Sequence, residues 1–173
     1  MIFRNKKCKR VNLSIKPDIE FKEILNTLDD LTLPDTGIKP QNIKYAVLEM
    51  INNSIRAHRE NRIRDTFSVS FECDTPSLVI EVRDRGPGFN PERLPYSLAD
   101  DPSAVDIKSK SFADYREQNN YLRFGMGLYV VRKTFPLFQL TFLDESGQPA
   151  PWSKGKIHGT CIKVGIKGSD NGA

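Results

Sequence analysis

With 173 residues, 38% of them hydrophobic and 28% charged, the chain has the length of one domain with a substantial core and is too short for two. Its net charge of +4 is mildly basic, and the dense run from Arg4 to Arg10 lacks the interleaved aromatics of a nucleic-acid surface, so a solvated segment is expected there. No long apolar stretch follows, which argues against a signal peptide or membrane anchor and makes the cytoplasm the expected location.

Residues 1–10 read as a basic N-terminal segment, 11–166 as one domain and 167–173 as a frayed tail. Val11, Leu13 and Ile15 alternate with polar residues, as in a half-buried strand. Pro17 ends it, and Asp18 is placed to cap a helix in which Ile24, Leu25, Leu28 and Leu31 recur at helical spacing. After a turn over 33–37, Pro40 suits the first position of a longer helix. Phe67, Val69 and Phe71 alternate, as do Leu78, Ile80 and Val82, which predicts two strands joined by a hairpin turn over 74–77. Residues 90–124 are polar and aperiodic and read as a lid, with a short helix over 111–122 inside it. Their composition predicts no core of their own. A helix over 127–138 and closing strands over 139–143 and 160–166 complete the order. The expectation is an α/β two-layer sandwich, with a mixed, mostly antiparallel sheet and helices on one face. Cys8, Cys73 and Cys161 are odd in number and irregularly spaced, as reduced thiols are, and His58 and His158 lie too far apart to suggest a metal cluster.

Chemistry first appears on the long helix, between Tyr45 and Glu60. Ile43, Val47, Met50, Ile51 and Ser54 share its buried face, while Glu49, Asn53 and Arg56 form a strip along the border. Asn52, Asn53 and Ser54 each cost a mid-helix position roughly 0.5 kcal/mol relative to Ala, so something besides helix stability asks for them. The amide oxygen of Asn53 can ligate a hard cation such as Mg²⁺, and the carboxylate of Glu49, one turn away, can orient or deprotonate a nucleophile. A solvated helix face satisfies the same spacing.

Two glycine motifs follow. RDRGPGF sets Asp84 at a strand end with Gly86 and Gly88 beyond it, where a carboxylate accepts from an exocyclic amino group and bare backbone admits a flat ring such as adenine. RFGMGLYVV places Gly125 and Gly127 at a helix entrance, where free N–H groups and the positive dipole end attract phosphate. No G-x-x-x-x-G-K-[ST] is present, so the chain is not a P-loop protein.

In order, E-x-x-x-N on a helix, D-x-G-x-G after a strand, G-x-G-L opening a helix and Gly159-Thr160 near a final strand resemble the ATP-binding domain shared by DNA gyrase B, the ninety-kilodalton heat-shock chaperone, sensor histidine kinases and mismatch-repair ATPases, the Bergerat or GHKL fold. The resemblance runs from Val11 to Ile166. It implies that Asn53 ligates the Mg²⁺ of Mg²⁺-ATP, that Asp84 reads the adenine amino group, and that Thr160 supports Asp84. Gly86, Gly88, Gly125, Gly127 and Leu128 would shape the walls, and residues 90–124 would be the ATP lid.

Length narrows the resemblance. The chain is too short for the further domain that brings a phosphate-reaching lysine in gyrase-like proteins, and no paired-helix region with a phosphoacceptor histidine precedes the long helix. What remains looks like the small anti-sigma-factor serine/threonine kinases. That likeness implies Glu49 as the base, Arg123 reaching the phosphates, and a partner of anti-anti-sigma type bearing a serine or threonine, with a sigma factor and a homodimer also in view. Arg56 stands where sensor kinases often carry a phosphate-contacting lysine. A histidine is common four residues after the helix asparagine, where this chain has Ala57, with His58 one later. Two alternatives are a non-catalytic ATP-gated binding module and the ATP-binding half of a split histidine kinase.

Overall fold

Alternating apolar residues build the sheet on which everything else rests. The structure, a computed structural model, describes residues 9–74, 76–118 and 125–167. Its strands are β1 (Lys9–Ile15), β2 (Phe67–Asp74), β3 (Ser77–Asp84), β4 (Leu137–Leu143), β5 (Pro149–Ala150) and β6 (Gly159–Ile166), and its helices α1 (Phe21–Asp29), α2 (Pro40–Glu60), α3 (Lys110–Gln118) and α4 (Met126–Thr134). The strand order is β1, β2, β3, β6, β4, β5. Every pairing is antiparallel, so the parallel component allowed by the word mixed is not present among these strands.

The inward residues of β2 and β3, among them Val69, Phe71, Leu78, Ile80 and Val82, are almost wholly buried, and Ile43, Val47, Met50 and Ile51 of α2 pack on them. Each such side chain contributes roughly 1.5–3 kcal/mol through burial. Leu128 and Val131 of α4 and Ile24 and Leu28 of α1 complete the same core, which makes an α+β sandwich of one sheet and one helical layer. Register matters for function, because β3 against β6 sets Asp84 opposite Thr160.

Several boundaries differ from expectation, for physical reasons. Helix α1 begins at Phe21 behind Glu20, which makes no side-chain cap, rather than behind Asp18. Arg59 of α2 donates to the carbonyls of Pro17 (2.6 Å) and Ile19 (3.3 Å), which uses this turn as an anchor instead of a first helical turn. Helix α4 stops at Thr134, four residues short of the predicted end. Phe135 is extended (φ −109°, ψ 125°) because Pro136 follows it, and strand β4 therefore starts at Leu137. Lys9 and Arg10 belong to β1, not to a separate basic segment. Residues 1–8 and 168–173 lie outside the described residues.

The largest correction concerns residues 90–118. Short 3-10 turns at Pro91–Arg93 and Pro102–Ala104 lead into α3, and the segment does bury a core. Phe112 is 1% exposed, and it stacks on Tyr96 at 5.9 Å, with Tyr129 of α4 edge-on to Tyr96 at 6.2 Å. Buried Arg132 of α4 donates to the carbonyls of Ser97 (3.2 Å) and Asp100, tying the segment to the helix. Three aromatics from three elements have no sequence period, so the cluster leaves no trace in a periodicity reading. The rest of the expected lid, 119–124, lies outside the described residues.

Candidate functional site

Helix α2, the end of β3, the loop that follows, the start of α4 and the start of β6 enclose a cleft of about 210 Å³. Asn53, Arg56, Asp84, Gly88, Gly125, Leu128 and Thr160 all line it, so seven residues singled out from four distant motifs meet in one place. Phe89, Leu94 and Ile162 add apolar walls, as a planar ring requires.

Asp84 is the best-defined group. It is 8% exposed and accepts four hydrogen bonds. Oδ2 takes the hydroxyls of Thr160 (2.7 Å) and Ser54 (2.8 Å); Oδ1 takes the N–H groups of Gly86 (2.8 Å) and Thr160 (3.3 Å). A buried carboxylate is costly unless it is bonded in this way, and four fixed donors hold it in one orientation. Gly86 stands behind it, where a Cβ would meet the Cβ of Ala57 at 2.9 Å. A larger residue at 57 would crowd that turn.

The opposite end is built differently. Arg56 Nη2 donates to Asn53 Oδ1 at 3.1 Å, so the amide oxygen that could hold a cation is engaged by a guanidinium. Gly125 opens α4 at φ +81°, in the left-handed region that favours glycine, and among the described residues no side chain caps the first turn of that helix. Tyr96 donates to the Gly125 carbonyl at 2.6 Å, which ties the aromatic cluster to this entrance. Burial pushes the Tyr96 phenol well above its usual range, so it remains a donor. Arg123, the expected phosphate-reaching residue, lies outside the described residues.

Glu49 and Gly127 face each other behind this end. A Cβ on Gly127 would stand 2.6 Å from Glu49 Oε2 and 3.5 Å from Asn53 Nδ2. Glycine at 127 is therefore what lets α4 approach α2 at the turn that carries both polar residues. Glu49 is half-buried there and does not line the cleft.

Two contributors escape a sequence reading of the site. Ser54 reads as a buried-face residue that helix propensity does not explain, without its partner being visible in the spacing; a buried hydroxyl needs an acceptor, and that demand is the signal that could have pointed to Asp84. His58 is wholly buried and bonded at both nitrogens. The Arg85 N–H can only donate, so Nε2, at 3.0 Å, accepts from it, and Nδ1 donates to the Asp65 carbonyl, also at 3.0 Å. His58 thereby holds the residue between Asp84 and Gly86, from a position one residue past the expected histidine.

Residues 25–142 match the family model of the histidine kinase-like ATPase domain. The chain belongs to that family. No curated protein matches it. The matched span ends at Phe142, before Thr160, and it is the antiparallel register of β3 with β6 that brings Thr160 to the carboxylate. Membership in the histidine kinase-like ATPase family makes ATP the expected ligand of the cleft, and the donor set fits it. An acceptor-only carboxylate suits an amino-bearing ring, and the uncapped first turn of α4 suits phosphate. Among the described residues, no helix is long and apolar enough to cross a membrane. No cluster of three His, Cys, Asp or Glu side chains is placed among them to hold a metal.

Proposed function

We propose that the protein binds Mg²⁺-ATP and phosphorylates a serine or threonine of a partner protein, in the manner of an anti-sigma-factor kinase in the cytoplasm. The observation that carries this reading is the juxtaposition of two unlike ends in one cleft: a four-donor carboxylate at Asp84, and Asn53 and Arg56 beside the glycine entrance of α4. Asp84 reads the adenine amino group, while Gly125 and the first turn of α4 receive phosphate. Asn53 offers one oxygen to Mg²⁺, which suits an ion that keeps most of its shell as water and phosphate oxygens. ATP supplies the phosphoryl group, and the bound Mg²⁺ offsets its charge. The chain's own contribution is positioning: Gly127 brings α4 onto α2, and Glu49 takes the proton of the acceptor hydroxyl.

One observation favours a second reading, that of a non-catalytic module whose ATP gates partner binding. Glu49 packs against Gly127 and does not line the cleft, as a purely structural carboxylate would. Glu49→Gln separates the two, because it keeps size and hydrogen bonding while removing proton affinity. In a kinase, ATP affinity stays within about threefold while transfer falls by roughly a hundredfold. Calorimetric ATP titration together with labelled-phosphate transfer to a serine-bearing partner domain reads both quantities. Equal transfer by the two proteins would remove Glu49 as the base, and no transfer by the unaltered protein would leave the binding module.

A further inference from the structure

Beside the nucleotide cleft lies a second, larger cavity of about 640 Å³. Phe89 and Leu94 line both, so the two are neighbours separated by a shared apolar wall. Its chemistry is distinct. Phe89, Tyr115 and Trp152 give it three aromatic faces, Arg93 and Lys154 give it two cations, and among the described residues no carboxylate lines it. Neither cation is in an ion pair among the described residues. The indole Nε1 of Trp152 is buried with no acceptor there, although a buried N–H normally has one.

We propose that this cavity docks an acidic segment of the protein partner, with an apolar side chain against the aromatic faces and carboxylates at Arg93 and Lys154. Charge complementarity selects the occupant: two exposed cations with no acid between them favour an anionic chain and disfavour a basic one. Carboxylate and backbone oxygens also supply the acceptor that the Trp152 indole lacks once it turns toward them. Proximity gives the cavity its use, since a segment held against Phe89 and Leu94 lies next to the cleft that takes ATP. Tyr115 stands at the junction, its hydroxyl 3.5 Å from where a Cβ of Gly125 would be. This inference deepens the kinase reading and rests on it for the identity of the segment as the acceptor's.

Trp152 is the chain's single tryptophan, so its emission reports on this cavity alone. The experiment titrates the full chain, saturated with a non-hydrolysable ATP analogue, with a short synthetic peptide in which one serine and one leucine stand among aspartates. A saturable change in Trp152 emission is expected, weakened by salt, and a lysine-for-aspartate peptide should not produce it. Arg93→Ala with Lys154→Ala should weaken peptide binding by roughly tenfold or more, with ATP affinity held within about twofold. Arg93→Glu with Lys154→Glu should reverse the preference toward the lysine peptide, an outcome that general damage to the fold cannot mimic. Unchanged emission or equal binding by the alanine variant would overturn the proposal. Phosphate transfer is measured separately. Peptide binding without transfer would sink the kinase reading and leave the docking site, whereas transfer to a partner with no peptide effect would do the reverse.

Discussion

The two ends of the nucleotide cleft differ in how much of their geometry is fixed before any ligand arrives. Asp84 is buried, held by four donors from three elements, and backed by His58 through the neighbouring Arg85 N–H. At the other end, Asn53 and Arg56 are half-buried and bonded to each other, and the helix entrance at Gly125 offers backbone N–H groups. The first end can discriminate because it is rigid: an ill-matched ring finds acceptors and donors that cannot move. The second must exchange a side-chain contact for a metal or phosphate contact, so it responds to the ligand instead of selecting it.

Asp84→Asn breaks the comparison at its stronger end. The amide keeps an acceptor for the Gly86 and Thr160 N–H groups, and the Ser54 and Thr160 hydroxyls can turn to accept from the new NH₂, so the fold should survive. No acceptor then remains for an adenine amino group, and ATP affinity should fall by roughly a hundredfold or more. The unaltered protein should prefer ATP to GTP, because guanine presents a carbonyl where adenine presents its amino group. Calorimetric titration of both nucleotides checks the pair of statements; equal ATP and GTP affinities would mean that Asp84 does not read the ring.

Thr160→Val is a gentler cut at the same end. It deletes the 2.7 Å hydroxyl donor while keeping the N–H, a strand-compatible shape and the Ser54 bond to the same oxygen. A hydrogen bond to a buried charged group is worth about 1.5–3 kcal/mol, and this loss should appear in the denaturant midpoint as about 1.5 kcal/mol. An unchanged midpoint would show that Ser54 and the two N–H groups already hold Asp84 unaided.

How much of this was legible in the sequence follows from the same contrast. Asp84, Gly88 and Gly125 announce themselves because each lies in a short local pattern whose meaning is a backbone conformation or a strand end. The α2 strip of Glu49, Asn53 and Arg56 is legible from helical period alone. Long-range satisfaction is not. Ser54 meets Asp84 from 30 residues away, and Tyr96, Phe112 and Tyr129 converge from a turn and two helices. Composition therefore suggested a coreless lid where the chain makes a small aromatic core. Pro136 is the reverse case, a legible helix terminator that the spacing of apolar residues outweighed.

The smallest effect is expected at the adaptable end, where two consequences of one substitution oppose each other. Arg56 Nη2 occupies Asn53 Oδ1 at 3.1 Å, and a divalent cation on that oxygen would stand next to a guanidinium of like sign. Binding Mg²⁺ there thus requires Arg56 to leave, and the natural destination of its charge is phosphate. Arg56→Ala releases the Asn53 oxygen, which favours the metal, and removes a phosphate partner, which disfavours the nucleotide. Affinity for Mg²⁺-ATP should change by no more than about threefold, because the two effects offset. ATP without metal gains nothing from a released oxygen, so its affinity should fall by roughly tenfold, the loss of one charge-assisted contact. Calorimetric titrations with Mg²⁺ and with chelator, on the unaltered and altered proteins, complete the cycle. Equal losses with and without metal would show that the Arg56 contact does not compete with the cation, and would place the metal away from Asn53.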